Sequence, residues 1–461
     1  MKNLKTICLS LLLLGGGTAA AGATAEPVRV NVFDHVVFYD GYNSTVFDAG
    51  LDDGVYRMKN SLYSTPLPME QLTDLGDGLT LDVTIGALCD NYDRISSLCL
   101  AFVPKGASTY DYDKVRRIEI ARLITPFMNK NISPTEVPYT FDIPNVANLL
   151  RDPALRADCD LWMEFEVFGV PYAANKEVAG CSGRNDVFEG TVDLVYTPAE
   201  EARPSEGNVL VPINVKYLDD RGNINFNNYT ESATDTLGIT TKTYEFEVPE
   251  DVADSKVYLI LTNHGANSGG EEYVRRLHLV YYDGDIVLSY TPGGVSCEPY
   301  RVYNTQPNGI YANSRPESFW KTQSNWCPGQ AVPIREIPLG AQKAGKHKVM
   351  IRVPDARFVG KDGDFRPSLY FHGVKNGAMP TSVDEVWFEG PTVTLHKEGD
   401  VLRYSSDEPV EKLLVHTADG VLARAYSHPQ GEVALGDLPS GMLILTFVTE
   451  DGRTTVRQIL H

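Results

Sequence analysis

The chain reads as an all-β protein built from several sandwich- or barrel-type domains. Three observations carry this reading. Short strand-like runs separated by turn residues recur along the chain, and long amphipathic helical patterns are nearly absent. Many strands with regular turns favour sandwiches or barrels. The length of 461 residues exceeds what one hydrophobic core holds, so roughly two to four domains are expected.

Residues 28–33, 79–85, 98–103, 209–215, 256–262 and 278–282 read as strands. Turn residues separate them, as at Asp53-Gly54 and Gly76-Asp77-Gly78. Asp283-Gly284 is a hairpin turn between two strand-like runs. Only residues 146–152 look helical, with Pro153 ending them. The stretch 198–207 carries Pro198 and Pro204, lacks apolar periodicity and reads as a linker. It divides a first domain, 26–198, from a second, 206–390, both near ordinary domain size. A third unit, 391–461, has a strand from Leu413 entering the turn Ala418-Asp419-Gly420. The turn Leu438-Pro439-Ser440-Gly441 and strands at 443–447 and 456–460 follow. This unit reads as a small β-sandwich.

The beginning of the chain suggests export. Lys2 and Lys5 precede an apolar run at 7–14, and small residues follow up to Ala23-Thr24-Ala25, before Glu26. That is a signal-peptide pattern over 1–25, too short and glycine-rich to span a bilayer. Cys8 lies inside the apolar run and not at its end, which argues against a lipoprotein. No later stretch is apolar enough for a span. A secreted, cell-surface or periplasmic monomer is expected. Six further cysteines, at 89, 99, 159, 181, 297 and 327, suggest disulfides in an oxidising compartment. No CxxC or His-rich cluster competes as a metal site. A net charge of −20 argues against nucleic acid and anionic membranes as partners.

Two stretches resemble known families. The third unit resembles the C-terminal sorting domain of type IX secretion, used by Bacteroidota. Its marks are the strand ending in Asp-Gly, the Leu-Pro-Ser-Gly turn and a last strand running to the terminus. A small accessory sandwich is the plainer reading. Residues 28–390 carry five motifs in order: Cys89-Asp90-Asn91-Tyr92-Asp93-Arg94, Arg122-Leu123-Ile124-Thr125-Pro126-Phe127, the strand Asp193 to Tyr196, Glu272-Tyr273 followed by Arg276-Leu277-His278, and Trp326-Cys327-Pro328-Gly329 continuing to Arg335. Together they resemble the peptide-N-glycosidase F family of bacterial amidases, which release N-linked glycans from asparagine. The resemblance implies two adjacent eight-stranded antiparallel jelly rolls and a glycoprotein or glycopeptide substrate. It implies no cofactor.

The resemblance also implies three carboxylates at the domain junction. Asp93 takes the primary role, and Glu272 and Glu166 position substrate or water. A two-residue shift would choose Glu164 in place of Glu166. Arg94, Phe168 and His264 fall at substrate-contacting positions. Phe168 and His264 stand where the family carries tryptophans, and Gln323 stands where it carries an arginine that Arg315 or Lys321 would replace. Cys297 and Cys327 match cysteines that the family bridges. Two other family disulfides lose a partner, since 270 and 274 are Gly and Val and no cysteine shortly precedes Cys89. Proximity pairs Cys89 with Cys99 and Cys159 with Cys181. The loop between Cys297 and Cys327 holds residues 308–320, rich in Asn, Ser and Arg, and looks too polar to order itself by burial.

The chemistry explains the residue types. Amide hydrolysis needs a water made nucleophilic and a leaving nitrogen protonated, and carboxyls do both when their pKa values are held apart. Acids sharing one cleft repel each other, so one stays protonated near neutrality. Arg94, next to Asp93, would bias Asp93 toward its charged form if the side chains met. The plainer readings are a surface Asp-Arg pair for Asp93 and solvated glutamates at 164, 166 and 272. On a strand, Glu164 and Glu166 share a face with Trp162 and Phe168, while Leu161, Met163, Phe165 and Val167 form the apolar face. Trp326 reads as core. A non-catalytic glycan-binding protein is the main alternative. A copper monooxygenase on the same jelly-roll pair is disfavoured, since the sequence has no His-x-His and no adjacent histidines.

Overall fold

The computed structural model describes residues 26–461 apart from 48–49, 200–204, 206, 216–225, 228–239, 324, 381–390, 418–421 and 450–453. The expected signal peptide, most of the 198–207 linker, the end of the second expected domain and the turn at 418–420 lie outside the described residues.

The first unit contains β1 (Val28–Tyr39), β2 (Tyr56–Lys59), β3 (Leu62–Pro66), β4 (Thr80–Ala87), β5 (Ile95–Pro104), β6 (Arg116–Ile124), β7 (Glu136–Asp142), β8 (Cys159–Val167) and β9 (Asp186–Tyr196). They form two antiparallel sheets, ordered β1-β9-β4-β7 and β2-β3-β8-β5-β6. Apart from the short β2, which adds a ninth strand at one edge, this is the eight-stranded jelly-roll order of two interleaved Greek keys. β8 shows how the sequence specifies the packing. Leu161, Met163, Phe165 and Val167 all enter the core between the sheets, as period-2 alternation requires. Phe165 meets Phe38 edge to face at 5.0 Å. Gly190 on the opposing β9 makes room, because a Cβ there would collide with the Phe165 ring.

The second unit contains β10 (Asn208–Asn214), β11 (Thr241–Val248), β12 (Asp254–His264), β13 (His278–Tyr282), β14 (Asp285–Tyr290), β15 (Arg335–Pro338), β16 (Gly345–Arg352) and β17 (Asp364–Val374). Its sheets, β10-β17-β12-β15 and β11-β16-β13-β14, repeat the jelly-roll order. The expected hairpin joins β13 to β14. Asp283 and Gly284 both take positive φ, +50° and +104°, the left-handed pair that matches strand twist in a tight hairpin.

The third unit contains β18 (Val393–Glu398), β19 (Val401–Ser406), β20 (Val410–Thr417), β21 (Leu422–Ser427), β22 (Glu432–Ala434), β23 (Met442–Thr449) and β24 (Thr454–Leu460). Two small sheets, β18-β19-β22 and β21-β20-β23-β24, enclose a separate core around Leu402, Leu413, Val415 and Phe447. Among the described residues no helix is long and apolar enough to cross a membrane.

The helical expectation needs correcting. Helix α1 covers Pro144–Leu150, and Pro153 opens a second helix, α2 (Pro153–Asp158). Asp152 caps α2, its carboxylate accepting from the amides of Ala154 and Leu155 at 2.9 and 3.3 Å. Proline suits a first helical position because its missing N–H would have no partner there. Two more short helices, α3 (Ala174–Glu177) and α4 (Glu317–Gln323), were too brief to show periodicity.

The disulfides are Cys89–Cys181 and Cys297–Cys327, with Cα separations of 5.5 Å in both. The second is the pair the family resemblance implied. The proximity pairing of Cys89 with Cys99 and Cys159 with Cys181 fails. Cys99 lies inside β5 opposite Glu119 and Glu164, and Cys159 sits at the start of β8; both are free and buried. The 297–327 loop is also less polar than its composition suggests. Tyr311 and Trp320 bury against the disulfide, and the Glu298 carboxylate accepts from the Trp320 indole at 2.9 Å and from the Arg315 amide at 2.9 Å. The bridge closes a 30-residue separation, for which the chain-entropy model gives about 3–4 kcal/mol. The double variant Cys297→Ser, Cys327→Ser should lose about that much in denaturant unfolding; a loss under ~1 kcal/mol would mean the loop's own small core suffices.

The two jelly rolls meet through β6 and α1. Arg122 of β6 donates to the Thr262 hydroxyl at 3.0 Å and to the Arg366 carbonyl at 2.6 Å. Asn145 of α1 donates to the Tyr370 hydroxyl at 2.9 Å. Leu123 bridges Ala331.

Candidate active site

Asp93 is set by the turn between β4 and β5. Cys89 is tied to Cys181. Asp90 is buried, and its carboxylate accepts from the amides of Tyr92 (3.0 Å) and Val170 (2.7 Å) and from Arg94 Nε (2.7 Å). The Arg94 backbone then exchanges hydrogen bonds with Thr125: its amide donates to the threonine hydroxyl at 2.8 Å and its carbonyl accepts from the threonine amide at 2.8 Å. Asp93 is held between these two anchors, deep in the protein yet partly open to solvent.

Glu272 arrives from the second jelly roll on the loop after β12. Gly265 takes φ +139° and Gly270 packs against its carbonyl so closely that no Cβ fits, so glycine is required at both. Asn325, next to Trp326, donates to the carbonyls of Glu271 (2.6 Å) and Glu272 (2.9 Å). The Tyr273 hydroxyl and the Gly265 amide hydrogen-bond the Glu272 carboxylate.

The charge of Glu272 acts on Asp93. Burial pushes Asp93 up from 3.8 to about 7, and the charge of Glu272 adds to this; Arg94 opposes it. Burial also raises Glu272, against the Tyr273 hydroxyl and Gly265 amide that stabilise its charged form. Asp93, raised by burial and by the charge of Glu272, keeps its proton into the neutral range. One site then offers a carboxylate and a carboxylic acid together, the groups needed to take a proton from water and give one to a leaving group.

Asp93 binds its proton more tightly in the folded protein than in the unfolded chain. Its contribution to stability is full below about pH 4 and is lost as the pH rises through about 7. Asp93→Asn should therefore melt progressively higher, relative to wild type, as pH rises across that window. Parallel melting curves for the two proteins would contradict the raised value.

The structure brings together only part of the expected site. Arg94 does not pair with Asp93: its side chain is taken by Asp90 at 2.7 Å, and its charge favours ionised Asp93 too weakly to offset burial and Glu272. Glu166 lies on β8 opposite Ser97 of β5, and Arg94, Ile95 and Ser96 separate Ser97 from Asp93 along the chain. It accepts from the Ser61 hydroxyl at 3.5 Å, and its charge bears on Tyr112 and Cys99. Glu164 is enclosed, paired with Arg117 at 2.8 Å and accepting from the Tyr110 hydroxyl at 2.6 Å, which leaves Glu166 the more open of the two. Phe168 sits on Gly41 and meets Tyr42 edge to face at 5.2 Å. His264 ends β12, with Nε2 2.9 Å from the Thr262 hydroxyl and its ring 5.9 Å from Trp326. Trp326 is core, packed with Ile124, Ile260 and Val332. Arg315 lies over Phe319 and Lys321 pairs with Glu317. The cation acting on Glu272 is instead Arg366, with Asp362 also near. Tyr273 and Tyr311 complete the surroundings; burial chiefly holds both hydroxyls protonated, with Glu272 adding at Tyr273 and Arg301 opposing at Tyr311. Of these four, Tyr273 alone stood inside a recognisable motif. Among the described residues no group of three or more His, Cys, Asp or Glu is arranged to hold a metal ion.

Comparison with known proteins identifies the family. The N-terminal domain of peptide-N-glycosidase F matches residues 29–182, and its C-terminal domain matches residues 228–371. Two crystal forms of PNGF-II share the fold, at 16% and 17% identity and TM-scores of 0.51 and 0.52, over 76% of this chain. This chain spans 65% and 66% of theirs. PNGase F, a glycosylasparaginase from Flavobacterium meningosepticum, has 15% identity and a TM-score of 0.46, covering 78% of this chain and 99% of that one. No curated protein sequence matches. The two family matches take in most of both jelly rolls, and the chain belongs to the peptide-N-glycosidase F family.

Proposed function

We propose that the protein hydrolyses the amide bond between asparagine and N-acetylglucosamine in N-glycoproteins or glycopeptides, releasing the glycan and leaving aspartate. The observation that carries this is the Asp93–Glu272 pair, one carboxyl from each jelly roll, with Asp93 titrating near 7. In this reading the Glu272 carboxylate holds the attacking water in line with the carbonyl carbon and takes its proton, while Asp93, the primary residue, carries the proton of the pair. The proton retained by the pair passes to the departing nitrogen, so proton count balances across the step. Glu166 positions substrate, and Arg94, Phe168 and His264 border the bound sugar and peptide. No cofactor takes part. The two disulfides support residence in an oxidising compartment, reached through a signal peptide at 1–25, with 391–461 as a type IX sorting domain. In this reading the jelly rolls span 26–198 and 206–390, and the working form is a monomer.

Mass spectrometry of a treated glycopeptide should show a free glycan and a peptide about one mass unit heavier than its unmodified asparagine form, as amide hydrolysis requires. Cleavage between the two core sugars would indicate a glycosidase, and binding without cleavage a lectin-like protein; either result overturns the proposal.

A further inference from the structure

Beside the cleft, the first jelly roll carries a cluster of exposed aromatic rings that the hydrolysis does not use. Tyr42 is 73% exposed and Tyr172 55% exposed, with Phe168 beneath Tyr42. Single exposed aromatics are ordinary, but a cluster on a rigid frame is not. The frame here is built from buried polar groups. Asp40 is fully buried; its carboxylate accepts from the Tyr42 amide at 3.0 Å and Asn43 Nδ2 at 2.6 Å, and the Tyr172 hydroxyl hydrogen-bonds to it as well. Asn60 is also buried. Its amide nitrogen donates to the carbonyls of Asp40, Asn43 and Ser44, and its oxygen accepts from the Val46 amide at 2.8 Å. The loop after β1 is thus pinned from below while Tyr42 stays outside. Rings fixed in this way lose little conformational freedom on binding.

Two backbone contacts join this platform to the cleft. The Gly41 amide donates to the Gly169 carbonyl at 3.0 Å. One residue further, the Val170 amide donates to Asp90, the residue that holds Arg94. Asn43 and Ser44, both exposed and next to Tyr42 in the chain, offer neutral hydrogen-bonding groups beside it. Apolar ring faces edged by neutral hydrogen-bonding groups match a pyranose, which offers C–H bonds on its faces and hydroxyls at its rim.

We propose that Tyr42 and Tyr172 form a carbohydrate-stacking subsite for sugars of the glycan beyond the scissile linkage. This rests on the amidase reading, and the test separates the two. Two glycopeptides with one peptide sequence serve as probes, one carrying a full N-glycan and the other a single N-acetylglucosamine. For the full chain with Tyr42→Ala and Tyr172→Ala, KM for the long glycan should rise about tenfold while kcat and the kinetics of the short one stay unchanged. Calorimetric titration with the free oligosaccharide should show the same loss without requiring turnover. Tyr42→Phe, which keeps the ring, should restore most of the affinity when paired with wild-type Tyr172. Equal losses on both glycopeptides, unchanged oligosaccharide affinity in the double variant, or no oligosaccharide binding by the wild type would each overturn the subsite. A wild type that cleaves nothing yet binds oligosaccharide through Tyr42 would sink the amidase reading and leave the subsite standing.

Discussion

Asp93→Asn should abolish turnover without unfolding the protein. The side chains are nearly isosteric, and the anchors on either side of Asp93 belong to Asp90, Arg94 and Thr125, so the backbone should not move. What the change removes is a carboxyl titrating near 7 beside Glu272. Loss of a proton-transferring carboxyl costs on the order of 10²–10⁴ in rate. Glu272 is then left without an acid partner, so the site no longer offers base and acid together. Steady-state kinetics on a glycopeptide, alongside a melting curve, measure both halves. Near-wild-type turnover would show that Asp93 is not the primary residue.

Arg122→Ala should be the most damaging substitution for stability. Arg122 and Glu119 are both fully buried and joined by two hydrogen bonds of 2.7 and 2.8 Å. Removing the cation leaves the Glu119 carboxylate uncompensated, a defect worth about 3–5 kcal/mol. The guanidinium also reaches into the second jelly roll at Thr262 and the Arg366 carbonyl. Arg366 in turn acts on Glu272, so activity should fall with stability. Denaturant unfolding measures the first effect. The double variant Arg122→Met, Glu119→Leu should recover much of the loss, because a buried pair exchanged for apolar groups of similar volume is often neutral. A single-variant loss under ~1 kcal/mol would mean that water reaches Glu119 and solvates it.

Several features were settled by near neighbours along the chain. The alternation in residues 161–168 assigns Leu161, Met163, Phe165 and Val167 to the core and Glu164 and Glu166 to the other face, and β8 follows it. Asp283-Gly284 makes a hairpin because two left-handed residues suit strand twist. These signals are local, so they survive in one dimension. The Cys297–Cys327 pairing and the choice of Asp93 and Glu272 came from motif resemblance, not from spacing.

Partners distant in sequence decided the rest. Cys99 is nearer than Cys181 to Cys89 along the chain, yet it is committed to a strand interior, while the turn after α3 carries Cys181 to Cys89. Arg94 adjoins Asp93 but turns to Asp90, so the adjacent cation does not keep Asp93 charged. Burial and Glu272, contributed by the other jelly roll, raise it instead. Acidity and disulfide pairing depend on distance through space and on access of water. Both are products of how the two sandwiches pack, which local periodicity does not encode.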